Sequence, residues 1–169
     1  VDEDKAIALA ARNLAIAEPV GKDLVVPCSA CYLVLEKTRK HMREYPETRK
    51  RVCSALEGAG LKYGETTKVR HPLEVLYNDV GVEGLKKAVK RPLKGVKVAP
   101  YYGCQIVRPF SKFDHQVYPV VMDRLLEACG AEVVYYPLKT RCCGGSLTGT
   151  IEEAGQRLAY ILLHEAEKR

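Results

Sequence analysis

Two cysteines stand side by side at Cys142–Cys143, and two glycines, Gly144 and Gly145, follow at once. Neighbouring cysteines can join in a disulfide only through a strained ring. The pair therefore constrains the chain toward a fold that offers both thiols to something else. The chain has seven cysteines in 169 residues, an odd number that a disulfide framework does not use up. Cys104 follows Gly103, and Cys28 and Cys31 form a Cys-x-x-Cys pair. Metal or redox chemistry is the expected use of these five thiols.

Helical and strand-like segments alternate along the chain, with Gly, Pro and Cys at the joints. The run of Ile7, Ala10, Ala11, Leu14 and Ile16 predicts a helix over 4–18, stopped by Pro19 and Gly21. A short buried strand, 24–26, ends at Pro27, and the Cys-x-x-Cys pair then opens a helix over 32–45. Further helices are predicted over 47–59, from Pro72, over 81–90, over 117–129 and from Glu152 to the end. Strands are predicted over 67–70, 95–100 and 131–136. Strands separated by helices imply an α/β fold, a parallel sheet with helices on both faces. In open sheets of this kind the functional groups lie beyond the carboxyl ends of the strands. All three cysteine motifs fall there, after Val26, after Pro100 and after Tyr136, so three loops are expected to bring five thiols to one sheet edge.

An iron–sulfur cluster needs several thiolates converging from different loops, and glycines beside the cysteines let the backbone approach closely. Between Cys104 and Cys142 lie 37 residues, about one α/β unit. The pattern Gly103-Cys104, a few dozen residues, then Cys142-Cys143-Gly144, with Cys28-Ser29-Ala30-Cys31 as a closing pair, resembles the CCG cysteine-rich domain. That domain is typical of the HdrB subunit of heterodisulfide reductase and its bacterial relatives.

The resemblance implies two tandem repeats in an α/β fold, each expected to hold a noncubane [4Fe–4S] cluster. Residues 1–65 resemble the end of a first repeat, and 66–98 resemble linker helices and a strand entry. Residues 99–169 resemble the start of a second, incomplete repeat, so the chain is expected to be the middle of a longer subunit. The implied activity is that of an oxidoreductase subunit passing electrons to a small disulfide substrate. Its implied partners are the other subunits of such a complex, an iron–sulfur electron donor among them. Cys104, Cys142 and Cys143 are then both the cluster ligands and the catalytic positions, while Cys28 and Cys31 ligate the other cluster.

Other readings compete. CCG domains also serve lactate, glycolate and succinate oxidising systems. Cys28, Cys31, His41 and Cys53 are spaced so that they can be written as a zinc site, which would make the chain a zinc-stabilised binding module without catalysis. Cys28 and Cys31 can also be read as a dithiol redox pair. Cys53 and Cys129 fall in helical segments and read as structural thiols. Composition excludes disorder, with 47% hydrophobic and 28% charged residues. The net charge of +6 concentrates over 37–51 and 86–97, read as solvated faces, with an acidic partner or an anionic substrate as the alternative. No motif for nucleic acid appears. There is no apolar run of membrane-spanning length, and the acidic start Val1–Lys5 does not fit a signal peptide; a cytoplasmic protein is expected.

Overall fold

A computed structural model describes residues 3–169; Val1 and Asp2, the first residues of the acidic start, lie outside the described residues. The chain divides into two compact units, Val1–Pro72 and Leu73–Arg169.

In the first unit, helix α1 (Glu3–Ala17) buries Ile7, Ala10, Ala11, Leu14 and Ala15. These positions recur at the spacing that puts them on one helical face. That face packs on α2 (Ser29–Glu44) and α3 (Pro46–Gly58), which contribute Tyr32, Leu35, Met42, Val52 and Leu56 to the core. Asp4 accepts from Arg51 at 2.6 Å and ties the start of α1 to α3. The Glu18 carboxylate, just past α1, accepts from the N–H groups of Gly64 (2.6 Å) and Thr66 (2.9 Å). Strand β1 (Leu24–Val25) pairs in parallel with β2 (Val69–Arg70), Leu24 opposite Val69. The chain between them is the α2–α3 crossover that parallel pairing requires.

The second unit repeats the theme. After α4 (Pro72–Val75), a π-helical turn (Leu76–Val80) and α5 (Gly81–Ala88) comes β3 (Lys97–Val98). It pairs in parallel with β4 (Glu132–Val133) across α6 (Val121–Ala128). Helix α7 (Glu152–Glu167) closes the chain. Tyr102, Ile106 and Val107 form a buried cluster against Leu73, Phe113 and Met122, and the Tyr136 hydroxyl donates to the Leu162 carbonyl of α7 at 2.8 Å.

Two expectations need correction. The single parallel sheet covered on both faces is in fact two separate two-stranded parallel sheets in a mostly helical chain. Pro27 and Pro100 lack the N–H that would carry β1 and β3 further into a ladder, so each strand stays very short. The helix expected over 117–129 begins only at Val121. Pro119 precedes it, and the Asp114 carboxylate accepts from the N–H groups of Val120 (2.9 Å) and Val121 (2.8 Å), satisfying donors that the first turn leaves open.

The basic stretch 37–51 lies on α2 and α3 and is largely paired. Arg39 meets Glu36, Lys40 meets Glu44, and both Arg43 and Arg49 meet Glu65. This agrees with a solvated helix face. The first unit rests on the buried stripe of α1, so Leu14→Ala, at a position 1% exposed, is expected to lower the unfolding free energy by about 3 kcal/mol. A urea titration followed by circular dichroism checks this; an unchanged midpoint would contradict it.

Candidate functional site

The loops that follow β3 and β4 leave the carboxyl ends of two paired parallel strands, so they start side by side. The first carries Cys104 and the second Cys142 and Cys143. The N–H groups of Tyr102 (2.8 Å) and Gly103 (3.0 Å) both donate to the carbonyl of Lys139. The Tyr101 hydroxyl donates to the Arg141 carbonyl at 2.6 Å, and the Arg108 guanidinium donates to the Thr140 carbonyl. Four hydrogen bonds thus bind one cysteine loop to the other.

Cys104 and Cys142 interact across this junction. Burial pushes the Cys104 thiol up, and the neighbouring Cys142 sulfur pushes it further. Burial raises the Tyr101 hydroxyl first, and Cys143, Cys104 and Cys142 raise it further. The N–H of Gly144 donates to the Cys142 sulfur and that of Gly145 to the Cys143 sulfur, each at 3.4 Å. Gly144 has φ +76°, and a Cβ there would lie 3.0 Å from Gly155 and Leu158 of α7. Only glycine lets the turn after the cysteines press this closely on that helix.

In the first unit, Cys28 is the N-cap of α2, and its sulfur accepts from the Cys31 N–H at 3.5 Å. That hydrogen bond lowers the Cys28 thiol, while its proximity to Cys28 raises Cys31. Both cysteines are exposed. The sequence-derived set therefore stands as two groups, Cys104 with Cys142 and Cys143 in the second unit and Cys28 with Cys31 in the first.

The zinc set does not assemble. Cys31 and His41 lie on the same helix ten residues apart, about 15 Å along its axis, and His41 stacks on Tyr45 at 4.3 Å. Among the described residues no group of three or more His, Cys, Asp or Glu side chains is placed to hold a single metal ion. A cluster asks for a different arrangement, because each iron takes its own protein ligand and the ligands surround the site instead of converging on one point. Cys53 is partly buried on α3, and Cys129 ends α6 with its carbonyl accepting from Leu93 at 2.9 Å.

Several residues around the site carry no signal in the sequence. Tyr101 and Tyr102 are visible there only as an aromatic pair before Gly103. Asp114, Asp123 and Lys139 read as ordinary surface charges.

The fold and paired cysteine loops define a class of protein. The CCG cysteine-rich domain profile matches residues 1–36 and 98–169, and the chain belongs to that family. Among proteins of known description, it is 40% identical over 156 residues to a protein of Archaeoglobus profundus that is itself like the HdrB subunit of heterodisulfide reductase. It is 38% identical over 166 residues to the HdrB subunit of the ferredoxin/F420H2-dependent CoB-CoM heterodisulfide reductase of Methanosarcina acetivorans. It is 31% identical over 160 residues to the 8-methylmenaquinol:fumarate reductase membrane anchor subunit of Wolinella succinogenes. These matches cover 89%, 94% and 94% of this chain but only 52%, 55% and 55% of the relatives, so the chain spans about half their length. No described helix is long and apolar enough to cross a membrane.

Membership of the family implies an iron–sulfur cluster, and the second-unit thiols fit one. They come from two loops, Cys104 and Cys142 lie within interaction range, and the Cys142 and Cys143 sulfurs already accept backbone N–H donors. In the metal-free chain, sub-stoichiometric iodoacetamide at mildly alkaline pH is expected to label Cys28 before Cys31. The helix cap holds Cys28 in the thiolate form at lower pH. Peptide mapping by mass spectrometry reads the order, and equal labelling would remove the cap's influence on the sulfur.

Proposed function

We propose that this chain is part of an iron–sulfur redox subunit like the HdrB subunit of heterodisulfide reductase, with Cys104, Cys142 and Cys143 as ligands of a noncubane [4Fe–4S] cluster. The observation that supports the reading is that the Cys104 loop is bonded to the Cys142–Cys143 loop past the ends of β3 and β4, with Cys142 beside Cys104 and with Gly144 and Gly145 donating to two of the sulfurs. When bound, a cluster supplies one-electron transfer at the sheet edge, the chemistry a disulfide needs if it is to be opened by single-electron donors. The chain's own residues hold the thiolates and orient them. Tyr101 interacts with these sulfurs, and its hydroxyl is anchored to the Arg141 carbonyl. Cys28 and Cys31 belong in this reading to the cluster of the first repeat, which residues 1–65 close and 99–169 begin again. An iron–sulfur donor subunit and a small disulfide complete the assembly.

A second reading has its own support. The 31% identity to a subunit of a methylmenaquinol:fumarate reductase favours an electron-transfer subunit whose final acceptor is no disulfide. The ligand set is the same in both readings, and only the acceptor differs.

Iron and acid-labile sulfide measured on the anaerobically purified 169-residue chain test the ligand set. Equal amounts of both, several per chain, are expected, with a loss of more than half of each in Cys143→Ser. A chain free of both iron and sulfide would overturn the claim that these thiols suffice. Zinc at one per chain would favour the binding-module reading.

A further inference from the structure

Lys139 lies three residues before Cys142 and is 1% exposed. Burying an ammonium group costs several kcal/mol unless partners compensate it, so a lysine placed here must be held by its surroundings. Its Nζ donates to Oδ2 of Asp123 at 2.5 Å and to the Pro119 carbonyl at 3.0 Å. The rings of Tyr118 and Tyr102 face it, with centroids 4.5 and 5.3 Å away. The Tyr102 hydroxyl donates to the other oxygen of Asp123 at 2.8 Å. The Lys139 carbonyl, at the opposite end of the residue, accepts from Tyr102 and Gly103. One residue thus grips the Cys104 loop twice, through its backbone and through a charged network that runs back to Tyr102 by way of the first turn of α6.

We propose that Lys139, Asp123 and Tyr102 form a positioning unit that sets the spacing between Cys104 and the Cys142–Cys143 pair. As a device for ligating a cluster it rests on the reading above; as a device for spacing the thiols it stands on the geometry alone. A merely stabilising core charge would affect melting but not the distance between thiols in the folded chain. Replacing Lys139 by a neutral chain of similar length leaves the half-buried Asp123 without its cation and frees the Tyr102 ring and the loop behind it.

The test uses the metal-free 169-residue chain and a short dithiol-specific cross-linker, with the Cys104 to Cys142 or Cys143 product quantified by peptide mass spectrometry. Circular dichroism at the same temperature reports the fold. In Lys139→Met the cross-link yield is expected to fall about ten-fold while helix content is retained, as loss of a charge-assisted hydrogen bond that holds one loop register predicts. Asp123→Asn is expected to give an intermediate loss. Tyr102→Phe, which removes one hydroxyl, carries the test should the lysine variant fail to fold. Wild-type yields in the folded variants would overturn the proposal. The two claims separate in the outcome. A wild-type chain without iron or sulfide whose cross-link still depends on Lys139 sinks the cluster reading and keeps the positioning unit. Full iron loading with a cross-link indifferent to Lys139 does the reverse.

Discussion

The carbonyl of Lys139 accepts two backbone donors, from Tyr102 and Gly103, and much of the second unit is arranged around that junction. The register of β3 and β4 delivers the two loops to the same edge, but strands of two residues each cannot steer the many loop residues beyond them. The junction continues the pairing past Pro100, where the ladder has to stop for want of an N–H. Tyr101 and Arg108 then add their own bonds to Arg141 and Thr140. The backbone on either side of the thiols is held by these bonds.

The same unit bears an electrostatic cost. A buried lysine with one carboxylate partner, a carbonyl and two ring faces is compensated, and removal of any partner leaves a charge in a low-dielectric setting. A buried ion pair of this kind adds little net stability, while breaking it by removing one partner is strongly destabilising. The first unit is organised differently: an apolar stripe on α1, helices packed against it, and surface ion pairs such as Asp4–Arg51 and Arg43–Glu65. Each unit meets its strand pair through a helical crossover, and each carries cysteines at the point where a strand gives way to a loop or helix.

Much of this is legible in the sequence, for identifiable reasons. The Ile7–Leu14 stripe has the period of a helix, so α1 can be read directly. Pro27 and Pro100 mark strand ends, and the cysteine loops fall where those prolines place them. Which strands pair is a matter of long-range contact that no local pattern encodes, so the alternation of elements predicts one sheet where two exist. The apolar spacing puts the start of α6 too early because its cap, Asp114, comes from outside the helix and no turn-by-turn pattern announces it. Lys139 escapes notice because Leu138-Lys139-Thr140-Arg141 reads as a polar loop. A lysine is seldom fully buried, and its burial here follows from Asp123 and two tyrosines distant in sequence.

Gly144 sits against Gly155 and Leu158 with no space for a side chain, and this separates two requirements that a short motif runs together. The two cysteines of Cys-Cys-Gly answer to whatever their sulfurs bind. The glycine answers to a helix surface: it would be needed at this place in a chain whose cysteines had all been exchanged for serine. A polypeptide could therefore lose its chemistry and still display the third letter of the motif. The glycine is thus a marker of architecture, separate from whatever the thiols before it do.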